Sequence, residues 1–437
     1  MRRLAVLTAA AAALVSAPGA GASSGVLYGV QDDAWLSVGG PRLERRFALL
    51  QRLGVDIVRY TLRWDQIAAR RPRNPRSGGD RTYAWGSGDA VLKGLRKRGI
   101  AAVVTIYGTP RWANGGRGPN WAPARARAMA DFANAAAERF PWVRRWTIWN
   151  EPNQRRWLRP TSARVYVERL LNPAYSALHG RIPAARVAGG MTAARGSVGG
   201  VSPVEWIRGM RAARARLDAY AHHPYPGRPS METPWQGGCG HCRTITMATL
   251  ERLLHEVRAA FGRRPIWLTE YGYETRPPER RPLGVPWARQ AAYVASVARR
   301  VYAAPRVELL VNFLVRDDGA PTGWQSGFLT ASGRTKPSFR AFMLPLEQVS
   351  RRGRVVRLWG QVRPRAGRQP FRIRLSRGRG WTWVTRTRLT DRRGFFSIAL
   401  LARSGARLQL WSPRDRLFGV ELRASALTGR HHRVKRS

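Results

Sequence analysis

Between residues 25 and 345, strand-like and helix-like segments alternate eight times, and that rhythm constrains the chain more than any other feature. Residues 25–30 (GVLYGV) read as a strand, and 41–53 (PRLERRFALLQRL) carry apolar residues at helical spacing up to Gly54. Further strands are expected at 55–60, 100–106, 143–149, 186–190, 217–222, 265–270 and 307–314. Helices are expected after each of them, at 89–98, 122–140, 162–178, 203–213, 246–260, 286–301 and 338–348. Continuous apolar strands alternating with helices imply a parallel sheet covered by helices. Eight such units of roughly 40 residues close into a (β/α)8 TIM barrel, whose working groups sit at the C-terminal ends of the strands. An open doubly wound sheet would carry a G-x-G-x-x-G turn after its first strand, and none follows residue 30.

Past residue 350 the texture changes. Short apolar segments at 355–362, 371–375, 381–389, 395–401, 406–411 and 418–422 are separated by Gly, Pro, Asp and Ser. This pattern predicts a small all-β sandwich of the immunoglobulin-like kind. The expected organisation is an α/β catalytic barrel over 23–349, the sandwich over 350–428 and a basic tail over 429–437.

The first 22 residues read as an export signal. Arg2 and Arg3 precede the apolar run 4–15, and Ala20-Gly21-Ala22 supplies small residues before a cut. The run is short of the ~20 residues a membrane span needs, and no later stretch is long enough. The expectation is a secreted, soluble protein. Cys239 and Cys242, in a Gly-rich stretch, then form a local disulfide. Their spacing to His241 and His255 matches no zinc pattern, so no metal is expected.

Lys+Arg number 77 against 26 Asp+Glu, a formal net charge of +51. Only Lys93, Lys97, Lys336 and Lys435 are lysines, and the arginines are spread over the whole chain without a nucleic-acid-binding motif. Salt-sensitive attraction to anionic polymers or cell surfaces follows, not specific nucleic-acid recognition. A monomer is expected.

Two carboxylates directly follow apolar strands: Glu151 in WTIWNEPN (146–153) and Glu270 in PIWLTEYG (265–272). They end the fourth and seventh strands, which face each other across a barrel mouth. Glycoside hydrolysis needs such a pair, one group to protonate the leaving oxygen and one to attack the anomeric carbon or activate water. Their separation, which sequence does not give, decides between retention and inversion.

The WNEPN segment resembles the acid/base signature of glycoside hydrolase clan A, in the style of families 5 and 39. The resemblance covers about residues 25–345 and rests also on TEYG, on Arg59 in VRYTLRW (58–64), on HHPY (222–225) and on GFLTASGRTKP (327–337). It implies a retaining reaction on a β-linked oligo- or polysaccharide without cofactor. It implies Glu151 as acid/base, Glu270 as nucleophile and Asn150 on the sugar 2-hydroxyl. It places Arg59 beside the nucleophile, His223 in substrate binding and Tyr225 donating to the nucleophile. The chain departs from the clan at the end of strand 8, where NFLV (312–315) replaces a frequent Trp; Phe313 or Trp324 would take its place. Trp64 and Trp324 are expected as sugar platforms, with Trp112, Trp121 and Trp157 as further loop aromatics, while Trp149, Trp206 and Trp267 read as core. Trp381 and Trp383 point to one side of a strand, either a glycan-binding face or core. The alternative function is a catalytically weak glycan- or surface-binding protein on the same scaffold.

Overall fold

The computed structural model describes residues 25–240, 242–278, 284–320, 322–364, 366–378 and 380–426. The expected signal (1–22) and the basic tail (429–437) lie outside the described residues. The chain forms two compact units, dividing between Phe342 and Met343.

The first unit is a closed barrel of eight parallel strands in sequential order. The strands are β1 (Leu27–Gln31), β2 (Ile57–Arg63), β3 (Ala101–Tyr107), β4 (Arg145–Ile148), β5 (Arg186–Ala193), β6 (Ala219–His223), β7 (Ile266–Tyr271) and β8 (Val307–Phe313). The covering helices are α1 (Gly40–Leu53), α2 (Gly86–Lys97), α3 (Ala126–Arg139), α4 (Asn172–Arg181), α5 (Pro203–Ala212), α6 (Leu250–Phe261), α7 (Trp287–Ala303) and α8 (Pro337–Met343). One strand and one covering helix alternate as the rhythm predicts, with shorter helical segments at Asp33–Leu36, Trp64–Ile67 and Ala163–Tyr166 in the connections.

Local chemistry explains the boundaries. Helix α1 buries Leu43, Phe47, Leu50 and Leu53 at helical spacing and ends at Gly54, whose φ of 71° is the left-handed cap that favours glycine. The Ser202 hydroxyl accepts from Glu205 N and caps α5, with Pro203 at the first helical position. Inside the barrel, Ala188, Ala219 and Ala221 leave room for Trp267, which packs with Ile57, Val103, Leu309 and Val311. Strand β1 comes so close to β2 that a Cβ on Gly29 would lie 2.2 Å from Ile57 O.

One expected helix is wrong at its end. The helix placed at 338–348 stops at Met343, and Leu346–Arg352 is strand β9. Pro345 forbids helical continuation, and its predecessor is steered to extended backbone. The sandwich boundary expected at 349/350 therefore falls inside a strand.

The second unit holds two antiparallel sheets. β9 joins β10 (Val355–Gln361) and β14 (Phe395–Leu401) in the order β14-β10-β9. The other sheet centres on β11 (Pro370–Ser376) and β15 (Arg407–Ser412). Phe371 stacks on Phe396 at 3.9 Å and joins the two sheets. The strand expected at 381–389 is broken into β12 (Thr382–Trp383) and β13 (Arg388–Leu389). Between them the Thr385 hydroxyl, not a backbone carbonyl, accepts from Ile373 N at 2.8 Å. Trp383 is 40% exposed, which places it on the outer side and not in the core. No helix among the described residues is long and apolar enough to cross a membrane.

Candidate active site

The apolar barrel interior ends in a polar layer. Gln31 on β1 is the register partner of Arg59 on β2. Arg59 is only 1% exposed, and its guanidinium is fully engaged. Nε donates to Thr105 Oγ1 at 2.9 Å, Nη2 donates to Asn150 Oδ1 at 2.9 Å, and Nη1 donates to Gln31 Oε1 and Glu270 Oε1. Thr105 in turn shares a 2.7 Å hydrogen bond with Thr147 on β4. Four strands thereby fix one planar cation beneath two site residues.

Strand β4 ends abruptly. Trp149 has φ 74° and Glu151 has φ 38°, both in the region that non-glycine residues avoid. The strain is held by Trp149 N donating to Ile106 O at 2.8 Å and Trp149 Nε1 donating to Trp157 O at 2.7 Å. Such conformations persist only where surroundings over-determine them. Here they turn Asn150 onto Arg59 and Glu151 into the mouth.

Across the mouth, Glu270 near the end of β7 is gripped on both oxygens. Arg59 holds Oε1, and Tyr225 OH donates to Oε2 at 3.1 Å. Burial raises the Glu270 carboxyl, but the charges of His223 and Arg59 and the hydrogen bonds from Arg59 and Tyr225 outweigh it, leaving Glu270 below its ordinary value. Burial first, then the Glu270 and Glu151 carboxylates, push the Tyr225 phenol well above its ordinary value, so it stays a donor. His223 is buried between the two acids. Its Nδ1 lies 3.0 Å from Glu151 Oε1 and 3.6 Å from Glu270 Oε2. One oxygen of each carboxylate and the His223 nitrogen all lie within 4.8 Å of one another.

His222 does something else. It turns to Thr192 Oγ1 and the Ile245 carbonyl at 2.8 and 2.9 Å, and burial drives it down to about 3. It is a neutral core histidine. Of the HHPY pair, only His223 reaches the acids.

The site opens into a cavity of about 960 Å³. Arg59, Asn150, Glu151, Tyr225, Glu270 and Trp324 line it. Trp324 packs on Tyr225 at 5.2 Å and meets Phe313 edge-on at 5.6 Å, so both aromatics expected near the end of β8 stand at the site. Trp157 also lines the cavity, its edge against Tyr107 at 5.4 Å.

Trp64 does not belong there. It is fully buried outside the barrel, stacked on Phe132 of α3 at 5.5 Å and edge-on to Trp112 at 6.3 Å. The strand turns into a short helical turn at Trp64–Ile67, which carries this ring under the helices. Trp64 is core, not a sugar platform. Trp149, Trp206 and Trp267 are fully buried as expected. Cys239 and Cys242 are disulfide-bonded to each other.

Sequence reasoning missed several cavity residues: Gln31, Asp33, Tyr107, Gln154, Arg156 and Arg195. Gln154 and Asn153 were visible in WNEPN and its continuation. Asn153 is buried, accepts from Ala193 N at 2.9 Å and donates to Val201 O at 2.9 Å. Gln154 donates to Arg195 O and accepts from Ser197 N at 3.2 Å. The two residues after Glu151-Pro152 therefore hold the loop that follows β5.

The trio Glu151, His223 and Glu270 has the donor atoms for a cation. On Glu270, however, Arg59 and Tyr225 already occupy one oxygen each, and Arg59 supplies the positive charge. The arrangement suits two carboxylates acting on a covalent bond better than it suits a bound metal.

No protein-family model and no curated protein match the chain. Solved structures do. A family 39 glycoside hydrolase from Bacteroides cellulosilyticus WH2 is 17% identical, with TM-score 0.56 over 86% of this chain and 80% of that one. A glucosidase from Croceicoccus marinus is 13% identical, with TM-score 0.54 over 86% and 96%. GH5_18 from Streptomyces cattleya, in complex with GlcNAc, is 18% identical, with TM-score 0.53 over 74% and 79%. The likeness is one of fold. At these identities it establishes the (β/α)8 barrel, and the site must speak for the chemistry.

Proposed function

We propose that this chain is a retaining glycosidase of the clan A type, acting on an oligo- or polysaccharide. The observation that carries the reading is the pair Glu151 and Glu270, one oxygen of each lying within 4.8 Å of the other with His223 Nδ1 against both. Carboxyl groups about 5–5.5 Å apart leave no room for an intervening water and act by double displacement, whereas inverting pairs stand about 6.5–9.5 Å apart.

In the first step Glu151 gives its proton to the glycosidic oxygen while Glu270 attacks the anomeric carbon. The bond to the leaving group breaks and a glycosyl ester to Glu270 forms. Arg59 and Tyr225 keep Glu270 ionised and aimed, and Asn150, turned by Arg59, is placed for the sugar 2-hydroxyl. In the second step the Glu151 carboxylate takes a proton from water. The water oxygen bonds to the anomeric carbon, and Glu270 leaves as a carboxylate. Trp324 and Phe313 offer apolar ring surface to the sugar. The leader-like residues 1–22 support export, and the +51 charge supports weak, salt-sensitive attraction to anionic surfaces.

The test is trapping. Incubation with activated 2-fluoro glycosides, followed by intact-mass and peptide mass spectrometry, should place a glycosyl adduct on Glu270. An adduct on another residue, or catalysis unaffected by Glu270→Gln, would overturn the assignment.

A further inference from the structure

The charges around the mouth are sorted. In a closed eight-strand ring, β4 and β5 lie across from β8 and β1. Two carboxylates beyond the catalytic pair line the cavity, Asp33 just after β1 and Glu274 after β7. Asp33 is anchored by Gln31 Nε2 and Thr61 N at 3.0 Å each, and Glu274 is buried. Two arginines line the other half, Arg156 after β4 and Arg195 after β5. Both are exposed, and among the described residues neither is paired with a carboxylate. Arg63 also lines the cavity, but Asp65 neutralises it through two hydrogen bonds of 2.7 and 2.8 Å.

The arginine half is built. Arg156 lies over the Trp157 ring at 5.0 Å, and Trp157 rests against Tyr107. The backbone of Arg195 is held by buried Gln154, three residues from Glu151. Cations with no carboxylate paired to them among the described residues, at a partly enclosed bowl, are poised for a ligand's anionic group.

The proposed chemistry says which part of the substrate meets them. A general acid must reach the glycosidic oxygen, so the leaving group lies on the Glu151 side of the scissile bond. That is the β4–β5 half. The ring that becomes attached to Glu270 lies on the other half, with Trp324, Phe313, Asp33 and Glu274. We infer that the leaving-group site takes an acidic unit, a sugar bearing a carboxylate or sulfate, whereas the glycone is uncharged. Asp33, whose carboxylate is held by Gln31 and Thr61 and not by a cation, would repel an acidic glycone and suits the hydroxyls of a neutral one. This inference rests on the retaining-glycosidase reading and adds the substrate class to it.

The experiment uses the reverse of leaving-group departure. Full-length protein is first labelled on Glu270 with a panel of 2-fluoroglycosyl fluorides, whose small leaving group makes no demand on the arginine half. The labelled protein is then reactivated by transfer to methyl glucuronide or to methyl glucoside. The acceptor hydroxyl attacks the anomeric carbon, Glu151 takes its proton, and Glu270 is released. Methyl glucuronide should reactivate about tenfold faster than methyl glucoside, as charge-assisted hydrogen bonds allow, and the ratio should fall with added NaCl. Arg156→Gln/Arg195→Gln should bring the ratio close to one. Arg258→Gln/Arg263→Gln, an equal charge loss on exposed residues in the last turn of α6 and just after it, should preserve it.

Equal reactivation by the two acceptors, including no effect of either, overturns the inference while leaving the retaining reading intact. So does a ratio that falls equally in the two double variants, because bulk charge would then explain it. Failure of every donor to label Glu270 removes the retaining reading and the inference with it.

Discussion

Arg59 holds Glu270, 211 residues further along the chain, through an ion pair that excludes almost all solvent from the cation. The contact joins the second and seventh strands of the barrel and helps hold Glu270, the group proposed as nucleophile, below its ordinary carboxylate value. A fixed guanidinium in a low-dielectric pocket favours the carboxylate strongly. The first prediction follows from that electrostatic arrangement.

The acid limb of kcat/KM should lie below the ordinary carboxylate value of 4.5, because Glu270 is held below it. Activity set by Glu270 is then present above that depressed value and lost as pH falls through it. Tyr225→Phe removes one stabilising donor from Oε2. The limb should move upward in pH in this variant. A pH profile in which it stays put, or moves down, contradicts the role assigned to Tyr225.

The two acids should fail differently. Glu270→Gln should lower kcat/KM for every substrate, by at least the ~10²–10⁴-fold typical of lost acid–base groups. Glu151→Gln should be severe for leaving groups that need protonation and mild for activated aryl leaving groups, whose departure needs no acid. A leaving-group series measured on both variants separates the roles, and identical slopes would mean that Glu151 is not the acid.

Trp64 and Trp157 should part company in the same way. Trp64→Ala opens a hole against Phe132 and Trp112, and should cost about 3–5 kcal/mol of stability. Trp157→Ala removes cavity wall beside Tyr107 and should raise KM with little change in unfolding midpoint. Denaturant melts and steady-state kinetics on the pair check both statements.

His222 gives stability a pH dependence. Burial pushes its folded-state value down to about 3 from the ordinary 6.5, so the unfolded chain takes the proton first as pH falls. The stability it contributes is whole above 6.5 and is lost between 6.5 and 3, by up to about 1.4 kcal/mol per pH unit. Asp32 works against it: raised from 3.8 to about 6, chiefly by burial, it contributes stability below 3.8 that is lost as pH rises through 6. The difference between wild type and His222→Gln isolates the histidine. The variant should show a flatter fall in stability from pH 6.5 to 3. Parallel curves would show that His222 does not control this window.

Much of this site could be read from the chain because its residues sit at strand ends, where regular barrel spacing makes position a consequence of count. Glu151, Glu270 and Tyr225 are of that kind, whereas Arg59 is the third residue of the seven in β2. Trp64 misled because a loop-like Trp after a strand can turn either way, and only the helical turn at Trp64–Ile67 decides that it goes under α3. Arg156 and Arg195 were invisible for a different reason. Among 77 Lys and Arg, one more arginine carries no signal until its partners are known. The end of α8 was legible in principle, since Pro345 stands where the helix had to stop.

The bonds from Asn153 and Gln154 to the loop after β5 have a consequence for redesign. The stretch that carries Glu151, the proposed proton donor, also props up the segment that would choose among substrates. A loop transplanted at 195–201 to change selectivity would lose its footing unless the residues beside Glu151 travelled with it. Conversely, a change at Gln154 made to adjust the chemistry would be felt first as altered preference. In this barrel the two properties are not separate modules, and directed evolution should find them moving together.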